Sequence, residues 1–191
     1  MTQSFSPLTS WHIYQARSAL RHGQVIAYPT EAVWGLGCDP WDEGAVKQVL
    51  ELKERPAHKG LILVAGSLDQ VRFLLDPLPA ELQARAREHW PGPVTCLLPD
   101  VQDQVPRLVK GQHESIAVRV SAHGVVRALC QAAGRPLVST SCNPAGHEPA
   151  RRSWQVRRYF SPEEVHLVPG AVGGARNPSR ILDIMTGQWL R

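Results

Sequence analysis

A chain of 191 residues has the length of one ordinary domain, enough to bury a core of its own. Its 43% hydrophobic and 20% charged residues exclude a disordered tail, a coiled coil and a fibrous protein. The 21 Lys and Arg exceed the 17 Asp and Glu by a formal +4, an excess that suits a polyanionic partner and equally an ordinary surface.

In chain order, Thr9 to His22 reads as a helix stopped by Gly23. Val25 to Tyr28 follows as a buried strand, and Tyr28-Pro29-Thr30-Glu31 leads into a loop whose Gly35 and Gly37 permit close backbone approach. Asp42 caps a helix running to Lys53, with Val46, Val49 and Leu50 on one face. Further strands are expected at Leu61 to Ala65, Val94 to Leu98, Ile116 to Val120, Leu137 to Thr140, His166 to Val168 and Arg180 to Ile184. Helices are expected at Leu68 to Leu75, Ala80 to His89, His123 to Ala133 and Ser153 to Tyr159. The alternation predicts an α/β fold, a single domain over residues 1–191 with a twisted mixed sheet flanked by helices.

The apolar run Leu61 to Ala65 is far shorter than the ~20 residues of a membrane helix. Met1 to Ser10 lacks the basic start and apolar stretch of a secretory signal, so a cytoplasmic location is expected. Cys38, Cys96, Cys130 and Cys142 form no C-x-x-C pair and no zinc-ligand spacing, so reduced thiols are the default. Cys96 and Cys130 sit in apolar stretches, whereas Cys38 and Cys142 adjoin the motifs below and their role stays open.

Absent motifs narrow the chemistry. The chain has no G-x-x-x-x-G-K-[ST], and Gly35-Leu36-Gly37 lacks the third glycine of a dinucleotide fingerprint. H-E-x-x-H and G-x-S-x-G are also missing, which disfavours a metalloprotease and a typical serine hydrolase. The polar residues that are present recur at spacing two. Pro56 biases Arg55 towards extended backbone, where Lys53 and Arg55 would point the same way at an anion such as phosphate. A solvated helix end is the other explanation. Pro144 likewise keeps Asn143 extended, so Ser139, Ser141 and Asn143 can share one face at a strand end, where open α/β sheets bind ligands. A plain turn would use the same residues. Arg119 interrupts an apolar strand and needs a partner, either a carboxylate of the chain or one of a ligand. Arg151-Arg152 and Arg157-Arg158 are either an RNA-facing surface or a solvated helix face.

Five segments together resemble the YrdC/TsaC family of threonylcarbamoyl-AMP synthases. They are 28–40 (YPTEAVWGLGCDP), Lys53-Glu54-Arg55-Pro56 with Lys59-Gly60-Leu61-Ile62, Trp90 to Thr95, Ala117 to Val120 and Ser139 to Asn143. The K-x-R and S-x-N signatures of that family fall on Lys53, Arg55, Ser141 and Asn143, which the resemblance makes the catalytic set. It implies a concave, positively charged cavity in which L-threonine, bicarbonate or CO2 and ATP give threonylcarbamoyl-adenylate and pyrophosphate. Mg²⁺ would accompany the ATP phosphates. The product would pass to downstream proteins that modify the adenosine next to the anticodon of tRNA. The ATP set implied is Lys53, Arg55, Lys59, Ser115, Ser139, Ser141, Asn143 and Arg191, and the threonine set is Thr30, Arg119 and Ser179. Ala32 stands where many members have a second Thr, Lys59-Gly60 where they have Asn-Pro, and Val64 where longer members have His. A non-catalytic RNA- or tRNA-binding module is the alternative, motivated by the basic excess and the arginine pairs.

Overall fold

The alternating sequence pattern resolves into eight strands and seven helices in a computed structural model that describes residues 8–190. The helices are α1 (Ser10–Arg21), α2 (Glu43–Leu52), α3 (Arg72–Leu75), α4 (Ala80–Arg87), α5 (Arg107–Lys110), α6 (Gly124–Ala133) and α7 (Ser153–Tyr159). The strands are β1 (Val25–Pro29), β2 (Trp34–Gly37), β3 (Ile62–Ala65), β4 (Val94–Pro99), β5 (Ser115–Val120), β6 (Leu137–Ser141), β7 (Val165–Leu167) and β8 (Arg180–Asp183). Caps set the longer helices: Thr9 and Asp42 side chains accept the amides of His12 and Ala45, and α6 stops at Gly134, whose φ is 73°. The stretch Leu68 to Leu75, expected as one helix, starts as a 3-10 turn over Leu68–Val71 before α3. Neither α5 nor the 3-10 turn Ala57–Lys59 was expected, because a single turn is too short to show a period.

The strands form one mixed sheet in the order β7-β1-β2-β6-β3-β5-β4-β8. Pairing is parallel for β1 with β7, β3 with β5 and β4 with β8, and antiparallel for the other neighbours. The segment after Glu31, read from the sequence as a loop, is corrected here: its second half is β2, paired on one side with β1 and on the other with β6. Gly35 and Gly37 hid the strand, since glycine interrupts the side-chain alternation that marks one. They are needed because the Tyr28 ring lies over both and the Val138 carbonyl approaches Gly37.

Alternate side chains of each strand face opposite sides. Trp34, Leu36, Leu63, Cys96, Leu98, Ile116, Val118 and Val120 join the apolar side of α2 in the larger core. Ile26, Tyr28, Val64 and Leu137 face the other way, under α1 and α6, where they meet Ala16, Leu20, Val126 and Leu129. These two helices cover only part of that second face. Ser139, Ile62, Ala117 and Leu97, successive register partners across β6, β3, β5 and β4, line a cavity on the remainder. Among the described residues, no helix is long and apolar enough to cross a membrane.

A Cβ added at Gly37 would sit 2.1 Å from the Val138 carbonyl oxygen, closer than any contact can tolerate. Gly37→Ala is therefore expected to cost about 1–3 kcal/mol or more in a urea titration. Gly124→Ala meets nothing within 4 Å at the start of α6 and is expected to be neutral or slightly stabilising in the same experiment.

Candidate active site

The open part of the sheet face is the floor of a cavity of about 520 Å³, within the usual size of small-molecule sites. Its walls come from four segments: the turn Thr30 to Gly35, the loop Arg55 to Ile62, the stretch Lys110 to Arg119, and the strap between β7 and β8. The strap is tied to the turn by main-chain bonds, Gly173 N–H to the Thr30 carbonyl and Ala175 N–H to the Glu31 carbonyl, both 2.9 Å. Arg151 reinforces this by donating to the carbonyls of Ala32 (3.2 Å) and Arg176 (3.0 Å).

Lys53 and Arg55 do not converge as expected. Helix α2 ends at Leu52, Lys53 is its C-cap, and Glu54 takes a left-handed φ of 49° that breaks the extended alternation. The Lys53 ammonium therefore turns inward, only 6% of the residue being exposed. It donates to the carbonyls of Ser141 and Asn143, both at 2.7 Å, and lies 3.1 Å from Asn143 Oδ1 and 3.3 Å from Ser141 Oγ. Desolvation lowers its pKa from 10.5 to about 8, against the pull of Cys142, and the neighbouring Arg55 charge pushes the same way as burial. Arg55 alone of the two lines the cavity. Its Nε donates to the Gly60 carbonyl (2.9 Å) and its Nη2 to that of Lys59 (3.3 Å), and partial burial lowers its pKa too.

The loop that carries Lys59 is zipped to α5. Leu61 N–H donates to the Val109 carbonyl and Gln112 N–H to that of His58. Gly60 and Gly111 have φ of 62° and 70°, and a Cβ on Gly111 would lie 2.5 Å from Gly60 N. Below them Lys110 Nζ pairs with the buried Asp100 Oδ2 at 3.0 Å and with Asp103. Desolvation of Asp100 is outweighed by the Gln104 and Val105 amides and by Lys110, so its pKa falls. The lysine is thus a strut of this wall, although it also lines the cavity.

At the end of β6, Ser139, Thr140 and Ser141 line the cavity, whereas Asn143 turns away from it. The Asn143 amide donates to the carbonyls of Pro144 (2.9 Å) and His147 (2.8 Å), fixing the turn that Lys53 grips from the other side. The shared face foreseen for Ser139, Ser141 and Asn143 thus holds only for the two serines; the chain turns before the third, whose N–H donates back to the Ser141 carbonyl at 3.1 Å. Cys142 is fully buried and burial pushes its thiol to about 12; Cys38, Cys96 and Cys130 are buried and free as well.

Across the floor, β5 presents Ser115, Ala117 and Arg119 to the cavity and buries Ile116, Val118 and Val120. Arg119 finds a carboxylate of the chain, Glu31, with Nη2 3.4 Å from Oε2. Ser121 Oγ donates to Glu31 Oε1 at 2.5 Å and accepts the His123 N–H at 3.0 Å. Thr30 lines the cavity while its hydroxyl donates to the Val33 carbonyl (2.7 Å), and Ser179 lies 2.8 Å from Thr95 Oγ1. Lys59 and Ser115 line the cavity as well; Arg191 lies outside the described residues. Sequence reasoning gave no role to Glu31, Thr140, Lys110 or His113, all of which reach the cavity. Of these Glu31 alone has a sequence signal: an acid directly after a strand end, in a chain whose strand arginine needs a carboxylate.

The arginine pairs behave differently from a free basic surface. All four are exposed, but Arg151 is used as described and Arg157 donates to the Val165 carbonyl at 2.9 Å, so two of the four guanidinium groups are tied to the main chain.

Comparison with known proteins places this architecture. A threonylcarbamoyl-AMP synthase of Marinobacter nauticus is 68% identical over 176 residues, 92% of this chain and 93% of that protein. One of Pseudomonas entomophila is 50% identical over 184 residues, 96% of this chain and 98% of that protein. Among solved structures, P. abyssi Sua5 complexed with L-threonine superposes with a TM-score of 0.84 at 33% identity. That match covers 93% of this chain and 52% of the P. abyssi chain, so the present chain spans about half its length. A family model for the Sua5/YciO/YrdC domain, described as telomere recombination, matches residues 18–191, and the chain therefore belongs to the Sua5/YciO/YrdC family.

Proposed function

We propose that this chain is an adenylyl-transferring enzyme that makes L-threonylcarbamoyladenylate from L-threonine, bicarbonate or CO2 and ATP, releasing pyrophosphate. The adenylate would serve threonylcarbamoyladenosine modification of tRNA through downstream proteins. One observation carries the reading: a single cavity holds Arg55 and Lys59, suited to a triphosphate, together with an Arg119–Glu31 pair suited to an amino acid. The names of the two relatives described above agree with it, and the L-threonine complex of P. abyssi Sua5 supports threonine as the amino acid.

The chemistry asks for placement and charge neutralisation more than for a strong acid. The threonine amine takes up CO2 as a carbamate, a carbamate oxygen attacks the α-phosphorus of ATP, and pyrophosphate departs in line. Arg55 and Lys59 would neutralise the charge gathering on the pyrophosphate. The hydroxyls of Ser115, Ser139 and Ser141 would hold phosphate or ribose, with Arg191 as a further nucleotide contact. Arg119 would take the threonine carboxylate, since a planar guanidinium matches two oxygens at once. Thr30 and Ser179 would flank the rest of the amino acid. Lys53 and Asn143 act one step back: the ammonium holds the Ser141–Asn143 turn in place and so sets where the serine hydroxyls stand.

Magnesium would be bound chiefly by the phosphates of ATP. Among the described residues no three His, Cys, Asp or Glu are gathered, and Glu31 is the sole carboxylate on the cavity lining. When bound, the ion would supply further charge neutralisation to the leaving pyrophosphate. The cytoplasm is the compartment we assign, where four unpaired cysteines would stay reduced.

Pyrophosphate release measured with each substrate omitted in turn tests the activity; it is expected to require threonine, bicarbonate and ATP together. Release at an unchanged rate without threonine would sink the assignment. Arg55→Ala is expected to abolish detectable release while lowering the thermal midpoint by only a few degrees, as for the loss of about 1 kcal/mol from its bonds to the Lys59 and Gly60 carbonyls.

Lys53→Met should instead lower activity and thermal midpoint together, because the carbonyls of Ser141 and Asn143 lose their charged donor. A pH series separates the lysine's two contributions. The folded pKa near 8 lies below the ordinary 10.5, so between these values the unfolded chain binds more protons at this group. Its contribution to stability therefore rises with pH across that window. ATP affinity is expected to move the other way, falling as pH passes about 8, because the neutral amine has two donors where the ammonium has three. Equilibrium dialysis of ATP should show this fall in the parent and not in Lys53→Met.

A further inference from the structure

Glu31 has one oxygen fixed and one unused. Oε1 accepts the Ser121 hydroxyl, itself held by the His123 amide, so the side chain cannot swing freely. Oε2 is buried without a hydrogen bond, and so is Arg119 Nε. A carboxylate and a guanidinium that face each other normally close to about 2.7–2.9 Å with two parallel bonds. Here the closest approach is 3.4 Å. Unpaired buried charges of this kind are costly, and a protein that only needed a structural ion pair would relieve the cost by closing it.

The geometry suits a ligand that carries both charges. A zwitterion laid against this wall offers a carboxylate to Arg119 and an ammonium to Glu31, and satisfies both orphaned groups. We propose that Glu31, through Oε2, binds the amino nitrogen of the amino-acid substrate, and that this contact restricts the site to amino acids. The proposal rests on the threonine reading above and adds the group that recognises the amine. Oε2 accepts an N–H from the ammonium, and still accepts one once the amine has lost a proton to solvent. The nitrogen thus stays anchored while its lone pair is free to meet CO2. Lys53, Arg55 and Lys59 cannot serve here, because each would repel an ammonium. Glu31 is the sole acid on the lining of the cavity among the described residues.

The test compares L-threonine with (R)-3-hydroxybutanoate, which keeps the carboxylate and hydroxyl and lacks the amine. Binding of each is measured by calorimetry to the full chain and to Glu31→Gln, with ATP binding as a control. The parent is expected to prefer threonine by roughly ten- to a hundredfold, the value of one hydrogen bond to a charged group. Glu31→Gln is expected to shrink that preference to about twofold, leave ATP affinity unchanged and weaken (R)-3-hydroxybutanoate little. Glu31→Asp, which keeps the charge on a shorter arm, should show an intermediate preference and covers the case in which the glutamine variant folds poorly. Equal weakening of both ligands in Glu31→Gln would mean that Glu31 acts only by orienting Arg119, and would overturn the proposal. A parent that binds both ligands equally overturns it too, while pyrophosphate release dependent on threonine would leave the synthase assignment standing. A parent that binds ATP and no threonine at all removes the synthase assignment and this proposal together.

Discussion

Lys53 stands where α2 runs out, and its ammonium reaches across to the last carbonyls of β6. That contact joins two segments 88 and 90 residues apart and fixes the position of the strand end that carries Ser139 and Ser141. A buried ammonium can be kept charged only by good acceptors, and the Ser141–Asn143 turn supplies them while the Asn143 amide locks the turn to Pro144 and His147. The rest of this side of the cavity depends on that join. With Lys53 withdrawn from the cavity, Arg55 is left as the cation of the signature that faces it, braced by the carbonyls of Lys59 and Gly60.

The cavity itself follows from incomplete coverage. Two helices, α1 and α6, shield only the Tyr28, Val64 and Leu137 side of the second sheet face. Beyond them the strands keep the same alternation, and Ser139, Ala117 and Arg119 intersperse small and polar groups among Ile62 and Leu97. The cavity is thus a stretch of sheet face of mixed polarity that no helix covers.

Much of this was legible in the sequence, and the failures have physical reasons. Strands such as Ile62–Ala65 and Ser115–Val120 are β-branched runs buried on both faces or alternating, so their patterns are strong. Strand β2 was not legible because its cavity side carries glycines, and a missing side chain leaves no period to read. Arg119 was recognised as needing a carboxylate, but its partner is 88 residues away in the chain's order and only the fold brings Glu31 to it. The direction of Lys53 was misjudged because Glu54 takes a left-handed conformation usually reserved for glycine, which a local rule based on Pro56 does not foresee.

The roof of the cavity is built from amides and carbonyls rather than from side chains. The strap is held to Thr30 and Glu31 by its own backbone N–H groups, and Arg151 clasps two further carbonyls. Main-chain bonds of this kind are indifferent to which residue supplies them. The enclosure is therefore set by backbone geometry, including the positive φ of Gly170 and Gly174, and this leaves the side chain of Ser179 at the strap's end to face the cavity's contents.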